Sequence, residues 1–277
     1  MKKLLISIAA GLCLLAATGC SKNKDNDSSR TESRAETTTT SLTIASQERT
    51  ETTTTVTTSA TTGLYIKSDD KNVISAGIYG KDGDNIKWVL SKDGTLTFSG
   101  KGEMMDVAEL NIPNQWMPPW YIYRHAVKKA VIPEGITNIS NNTFSGCASL
   151  TEVTMPSSIK SIGENAFSGC ASLIGLQIPK GVTDIGSWAF FKCKSLKSIT
   201  LPDAVTQIGD YAFYGCEELE QITIPKSTKV IGKYALWVFK GDADDTKKSH
   251  EFTIFCYPDS AGLRYAVDNN FDYKLIE

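Results

Sequence analysis

The sequence is poor in the residue types and motifs that enzymes and metal sites use. Only two of its 277 residues are histidines, His125 and His250, and neither stands in a nucleophile–base pattern. There is no Gly-x-Ser-x-Gly elbow, no glycine-rich phosphate loop followed by a helix, and no Cys-x-x-Cys pair of the kind that zinc sites use. We therefore predict a protein without catalysis, without a metal and without a cofactor.

An excess of charge of one sign is also lacking. The chain has 29 lysines and arginines against 31 acidic residues, which leaves a formal net charge of −2 and a pI of about 5.8. The basic residues form no stripe along the chain. Because nucleic-acid binding depends on concentrated positive charge, no nucleic-acid partner is expected.

Long apolar runs are absent except at the beginning of the chain. A positively charged start precedes an apolar stretch, residues 4–17, of about fourteen residues, which is too short to span a bilayer comfortably. Small residues then lead to Cys20, and a cysteine directly after such a stretch resembles the lipobox of bacterial lipoproteins. The resemblance implies a signal peptide over 1–19 and a lipid on Cys20. The alternative is an ordinary secretory signal cleaved at the Ala/Gly cluster.

The segment after Cys20 lacks the apolar side chains that a folded region needs. Residues 20–62 contain the threonine runs Thr37–Thr40 and Thr52–Thr55, and their few apolar residues cannot offset the entropy of ordering the segment. We predict a disordered Thr/Ser-rich tether. Some forty residues of this kind would reach roughly 140 Å when fully extended.

What the sequence does have is a repeat of 23 residues. Five residue types recur at this interval, so that five columns stay in phase along the chain. A fixed period in the twenties is typical of a leucine-rich-repeat solenoid. The columns are Pro133, Pro156, Pro179, Pro202 and Pro225; Ile139, Ile162, Ile185, Ile208 and Ile231; Phe144, Phe167, Phe190 and Phe213; Cys147, Cys170, Cys193 and Cys216; and Leu150, Leu173, Leu196 and Leu219.

Each repeat can be assigned to local structure. The segment Leu150–Pro156 alternates apolar and polar side chains and ends at a proline, which predicts a short strand. Gly163 marks a corner where a bulkier residue would be strained, and Ala166–Cys170 predicts one short helical or 3-10 turn. We therefore predict an α/β leucine-rich-repeat solenoid, in which short parallel strands and short helical or 3-10 turns stack coil upon coil.

A solenoid needs caps because its terminal coils would expose core residues. We predict an N-terminal cap region over 63–126, with a β-hairpin over 76–102 because Asp93-Gly94 lies between two apolar stretches. The repeats are expected over 127–237 and a C-terminal cap over 238–277. In that cap we predict a loop over 240–250, a strand over 252–257, a helix over 260–269 with Leu263, Ala266 and Val267 on its apolar face, and a final strand over 273–276.

The repeat pattern resembles that of the BspA-like leucine-rich-repeat family. It stands here as Ile162-Gly163-x-x-Ala166-Phe167-x-x-Cys170-x-x-Leu173-x-x-Leu176-x-Ile178-Pro179, and it recurs from Ile139 to Ile231. The resemblance implies a secreted or surface-attached protein, often bacterial, that is used in adhesion or protein interaction. The family has no shared catalytic residues to carry over. We therefore expect a lipid-anchored protein on the extracellular face of a bacterial cell envelope.

The columnar cysteines invite a disulfide or a metal site, but their spacing favours packing. Side chains in register on neighbouring coils point in parallel, which is poor geometry for a disulfide. We predict small, buried, apolar thiols. Cys256 lies outside the column and is predicted to be partly exposed.

Two rows of surface residues are candidates for binding. The first is the outward face of the strands, which is polar and nearly uncharged; its alternative role is solubility. The second is an aromatic row, whose alternative role is to shield the edge of the core. The polar row comprises Glu152, Thr154, Gly175, Gln177, Ser198, Thr200, Gln221 and Thr223. The aromatic row comprises Trp188, Phe191, Tyr211, Tyr214, Tyr234 and Trp237.

These features predict a cell-surface binding module. The tether would project a monomeric solenoid from the membrane, and a repeat face would bind an extracellular protein or glycan, with Gln177, Thr200, Thr223 and the aromatic row as ligand-binding residues. The alternative is a structural envelope spacer, or a scaffold that docks a partner protein from the same cell.

Overall fold

The structure, a computed structural model, describes residues 70–110, 117–238 and 252–277, together with the backbone of three strands before residue 70. The predicted signal peptide, Cys20 and the predicted loop over 240–250 lie outside the described residues. In the described part of the chain, no helix is long and apolar enough to cross a membrane.

Antiparallel strands precede the repeats. Leu90 pairs with Leu96 across the predicted Asp93-Gly94 turn, so that hairpin is confirmed. Two of the strands fall within the predicted tether, whose other residues lie outside the described part, and the disordered tether stays a prediction. The strands are β1 (Thr39–Ile44), β2 (Thr52–Thr57), β3 (Tyr65–Lys67), β4 (Val73–Gly80), β5 (Gly83–Ser91) and β6 (Thr95–Gly100), and each pairs antiparallel with the next.

A parallel pairing joins this sheet to the first repeat. Strand β6 pairs with β7, Lys129–Val131, so the sheet changes from antiparallel to parallel without a break. Two 3-10 helices, Val107–Leu110 and Pro119–Ala126, lie between β6 and β7 in sequence. Trp120 of the second helix is fully buried, and its indole Nε1–H donates a hydrogen bond to the carbonyl oxygen of Thr143 at 2.8 Å. This bond fastens the segment to the first coil.

The repeats contribute two sets of parallel strands. The two-residue strands form one continuous ladder, in which Ile185 pairs with Ile208 one coil later. The three-residue strands pair only in part, since no ladder joins β9 to β11. The three-residue strands are β9 (Glu152–Thr154), β11 (Gly175–Gln177), β13 (Ser198–Thr200) and β15 (Gln221–Thr223), and the two-residue strands are β8 (Asn138–Ile139), β10 (Ser161–Ile162), β12 (Asp184–Ile185), β14 (Gln207–Ile208) and β16 (Val230–Ile231).

The segment predicted as a helical or 3-10 turn is instead a run of hydrogen-bonded turns. The N–H of Ser168 donates to the carbonyl oxygen of Asn165 in the same coil at 3.1 Å, whereas the N–H of Phe167 donates to Ala189 in the next coil at 2.7 Å. Within this turn, Asn165 is in the left-handed region, with φ of +54°. In a helix, every such hydrogen bond would join residues of the same coil. Here, bonds between stacked coils take the place of half of these bonds, so no helix forms.

The regular spacing of glycines along the repeats reflects close approach between coils. A Cβ on Gly186 would lie 2.5 Å from the backbone carbon of Gly163, and one on Gly209 would lie 2.4 Å from the backbone nitrogen of Ser187. The prediction that Gly163 avoids a strained corner was therefore right about the need for glycine but wrong about its cause. The preceding coil, not the backbone conformation of the glycine, excludes a side chain.

The core consists of the predicted columns. The phenylalanine rings stack along the solenoid: the centroids of Phe144 and Phe167 are 5.1 Å apart, those of Phe167 and Phe190 5.3 Å, and those of Phe190 and Phe213 5.2 Å. All four rings are fully buried. The separations match the distance between neighbouring strands of a sheet, as stacking coil on coil demands.

The C-terminal segment comprises strand β17 (Thr253–Cys256), helix α1 (Ala261–Asp268) and strand β18 (Asp272–Leu275). Ser260 caps the helix, since its Oγ accepts a hydrogen bond from the N–H of Leu263 at 3.2 Å. The predicted strand, helix and final strand are thus present. The predicted apolar face was wrong at Val267, which is 56% exposed, because the helix turns Tyr265 and Ala266 toward the core instead.

Candidate functional site: an aromatic strip beside a basic cleft

The aromatic row forms a contiguous surface, the aromatic strip. Trp188 and Tyr211 stack with centroids 5.7 Å apart and ring planes 5° apart, and Phe191 and Tyr214 stack at 5.5 Å and 11°. The rings of Tyr211 and Tyr234 are also in contact, with centroids 5.3 Å apart, but their planes are tilted by 44°. The six members, each half-buried, are Trp188, Phe191, Tyr211, Tyr214, Tyr234 and Trp237. The predicted side-by-side arrangement in three successive coils is confirmed.

The backbone beneath the strip is in the left-handed region. Trp188, Tyr211 and Tyr234 have φ of +53°, +56° and +54°. The same position in the two preceding coils holds Asn142 and Asn165, also with positive φ. Asparagine tolerates this region, whereas a bulky side chain there costs on the order of 1 kcal/mol. The aromatic residues therefore occupy positions where the backbone disfavours them.

The strip has a defined upstream end. One coil before Trp188 and Phe191, the corresponding positions hold Asn165 and Ser168. In the described residues, the only ring in contact with Trp188 is that of Tyr211, so the stack of rings stops at Trp188. Ring faces at this end thus border amide and hydroxyl groups, a combination that suits ligands with both apolar faces and hydrogen-bonding groups.

The polar strand face points outward as predicted. Gln177, Thr200 and Thr223 are exposed, as are the other members of that row. Gln177 and Thr200 are paired in register on β11 and β13, and a shallow cleft of about 620 Å³ opens beside them. Thr223 lies beyond a break in the ladder and pairs with Phe255 of β17. The structure therefore divides this face instead of presenting one continuous sheet.

The columnar cysteines are buried and are not joined in disulfides, as predicted. The Sγ–H of Cys170 donates to the carbonyl oxygen of Phe144 at 3.2 Å, and the thiol of Cys193 donates in the same way to Phe167 at 3.1 Å. Burial raises the pKa of the Cys193 thiol to about 12. A thiol held neutral in this way is a poor nucleophile. The prediction that Cys256 is partly exposed was wrong, because it faces helix α1 and is fully buried.

The histidines and the side chains of metal-binding type do not form a cluster in the described part of the chain. His125 is exposed on the second 3-10 helix, and His250 lies outside the described residues. Over the ranges that the structure describes, no three side chains of the types that bind metals come together.

Sequence reasoning missed a second feature, which we call the basic cleft. It lies between the last coil and helix α1, has a volume of about 510 Å³, and is lined by Lys229, Lys233, Tyr234, Arg264 and Asp268 among others. Lys229 and Lys233 stand four residues apart, but Arg264 is distant in sequence. Only the packing of the helix on the last coil brings the three cations to one place.

A stack of coils in a 23-residue register, with columns of leucine, phenylalanine and cysteine, defines a leucine-rich-repeat solenoid. Residues 121–240 match the model of the family described as BspA type Leucine rich repeat region, in six copies. That stretch is therefore a BspA-type leucine-rich-repeat region, and the repeat type predicted from the pattern is confirmed for these residues.

The chain is also similar to solved structures of bacterial proteins. One is a leucine-rich repeat protein from Bacteroides ovatus, with 25% identity and a TM-score of 0.34 over 55% of this chain and 49% of that one. Another is a leucine rich cell surface protein from Faecalibacterium prausnitzii, with 26% identity and a TM-score of 0.37 over 59% and 54%. The chain thus spans about half the length of these two structures. The comparison with curated proteins found no match.

Proposed function

We propose that this chain is a surface-displayed binding module, which uses the aromatic strip to hold an extracellular protein or glycan. A lipid on Cys20 would anchor it to the outer face of the envelope, and residues 20–62 would carry the solenoid away from the membrane. The BspA-type repeat region over 121–240 supports a role in adhesion or protein interaction. The proposal assigns no reaction to the chain.

The observation that carries the proposal is the presence of aromatic residues at left-handed positions where the first two coils have asparagine. The first two coils place Asn142 and Asn165 there and still stack normally, so the fold does not need rings at this site. The following coils use Trp188, Tyr211 and Tyr234 despite the backbone cost. A cost of this kind, repeated in three successive coils, favours a role for the side chains in contact with a ligand.

A screen of the purified full-length chain against immobilised glycans and extracellular proteins tests the proposal. The strip variant carries W188N, F191S, Y211N and Y214S, which copies the Asn/Ser pairs of the first two coils. A matched variant of the polar strand face carries Q177A, T200A and T223A. Circular dichroism and thermal unfolding confirm that all three proteins are folded.

We expect saturable binding by the parent and by the polar-face variant, and its loss in the folded strip variant. Binding that persists in the strip variant but disappears in the polar-face variant would move the site to the strands. If no protein or glycan binds the parent, the chain is better explained as an envelope spacer.

A further inference from the structure

The basic cleft concentrates positive charge on a chain that is otherwise slightly acidic. Lys229, Lys233 and Arg264 are exposed and face one carboxylate, that of Asp268. In the described part of the chain, all salt bridges involve other lysines, so none of these three cations has an acidic partner. Asp210 accepts a hydrogen bond from the backbone N–H of Lys233 at 2.7 Å and does not pair with its ammonium group.

The walls of the cleft are held in place by buried contacts. The phenol oxygen of Tyr265 accepts a hydrogen bond from the N–H of Leu236 at 3.2 Å, which fixes helix α1 on the last coil. Gly262 lets the helix approach closely, because a Cβ there would lie 2.9 Å from Ile224 and 3.0 Å from Cys256. The helix that carries Arg264 therefore has a defined position opposite the two lysines. The backbone positions of the three cations are therefore fixed relative to one another, although their side chains are exposed.

The basic cleft is continuous with the aromatic strip. Tyr234 belongs to both, and the Nζ of Lys233 lies 5.0 Å from the centroid of the Tyr234 ring. A ligand that extends along the strip toward the C-terminal coils therefore meets the three cations. Aromatic surfaces next to cations suit a molecule with flat apolar faces and regularly placed anionic groups.

We propose that the basic cleft binds the anionic groups of an acidic polysaccharide, whose sugar rings lie along the aromatic strip. This inference rests on the proposed function, since it names the class of ligand for the same surface. A pyranose ring offers an apolar face of C–H groups to an aromatic side chain and hydroxyl groups to Asn165 and Ser168. Carboxylate or sulfate groups on the polysaccharide supply the partners for Lys229, Lys233 and Arg264.

The test measures binding of the full-length chain to dextran sulfate and to alginate, with uncharged dextran as the matched neutral polymer and polyglutamate as an acidic polypeptide. The cleft variant carries K229Q, K233Q and R264Q. A charge control carries K92Q, K160Q and K197Q, which removes three positive charges from exposed lysines elsewhere. The strip variant described above leaves Tyr234 and the three cations unchanged.

We expect the parent and the charge control to bind both acidic polysaccharides, and the cleft variant to bind roughly tenfold more weakly, as the loss of three exposed ion pairs predicts. Binding should also weaken with added salt. Equal affinities of the cleft variant and the charge control would overturn the inference, as would the absence of binding to both acidic polysaccharides. Polyglutamate that binds as tightly as the polysaccharides, independently of the strip, would also overturn it in favour of an acidic protein partner.

The two proposals fail in different ways. Binding of a neutral glycan that depends on the strip and ignores the cleft variant would retain the proposed function and reject the acidic ligand. Binding of an acidic polysaccharide that depends on the cleft but not on the strip would retain the anion site and reject the strip as the binding face.

Discussion

The first left-handed position of each coil, the one beneath the aromatic strip, holds one of two kinds of side chain. Asn142 and Asn165 suit the backbone, and Trp188, Tyr211 and Tyr234 do not. The rings gain contact energy from their neighbours, which offsets most of this cost. Whether the rings serve the core or a ligand can therefore be decided from the stability of a single substitution.

We expect Y211N to change the free energy of unfolding by less than about 1 kcal/mol, because lost ring contacts and relieved backbone strain nearly cancel. The neighbouring substitution F213A, at a fully buried ring, should cost about 3 to 5 kcal/mol. Urea unfolding of both variants is the measurement. A loss in Y211N as large as that in F213A would show that the strip shields the core.

Ionisation of the buried thiols makes stability depend on pH in the alkaline range. Burial raises the pKa of Cys193 from 9.0 to about 12. The contribution of the neutral Cys193 thiol to the free energy of unfolding is therefore complete below pH 9. It is lost as the pH rises toward 12, because the thiol ionises at lower pH in the unfolded chain than in the folded one.

Urea unfolding at pH 8 and near pH 10.5 measures this effect. The parent should lose roughly 2 kcal/mol more than a C193A variant between the two pH values. The comparison concerns the change with pH, so the cavity left by C193A does not enter. Parallel losses in the two proteins would show that Cys193 ionises with an ordinary pKa.

At the scale of elements, the contact between successive coils sets the tolerance to substitution. G209A places a Cβ 2.4 Å from the backbone of Ser187, and the coils must separate locally to accept it. We expect a loss of about 1 to 3 kcal/mol in the free energy of unfolding, which is the usual cost of adding a group to a well-packed protein core. G175A is the matched control, since its Cβ would meet nothing closer than 3.6 Å.

Chemical denaturation of these two variants gives the result directly. A neutral or stabilising effect is expected for G175A, because alanine restricts the unfolded chain without strain in the folded one. If G209A were as stable as G175A, the glycine column would have no role in coil packing.

Elements with a strong periodic signal were predictable from the sequence. The 23-residue register and the phenylalanine and cysteine columns follow from spacing, because stacked coils must repeat their buried residues. The hairpin follows from Asp93-Gly94 between two apolar stretches. The turn after Gly163 was not predictable as such. Its hydrogen bonds alternate between its own coil and the next, and no local pattern reports a partner 22 residues away.

The candidate site was predictable only in part. The aromatic strip follows from the same periodicity, since Trp188, Tyr211 and Tyr234 occupy one column. The basic cleft does not, because Arg264 belongs to a helix outside the repeats and its position depends on the docking of that helix through Tyr265. Likewise, the sequence shows the outward pattern of the strands but not the break between β9 and β11.

At the scale of the whole molecule, each coil contacts only its neighbours, so a complete coil should be removable. Deletion of Ser157–Pro179, one period, joins Pro156 to Lys180 and restores every column. We expect a folded protein of lower stability that still unfolds cooperatively. Deletion of Ser157–Ser168, about half a period, should abolish the cooperative transition because the columns before and after the junction are no longer in register. Far-UV circular dichroism during thermal unfolding distinguishes these outcomes.

The aromatic strip occupies three successive coils, so its length along the solenoid is only about 10 Å between the first and the third. A contact of this extent buries less surface than a stable protein–protein interface requires, and a single copy is expected to hold its ligand weakly. Firm attachment would then depend on many copies acting together on one polymer or surface. Flexible anchoring in a membrane would raise the effective concentration of neighbouring copies, and the density of the protein on the cell would set the strength of adhesion.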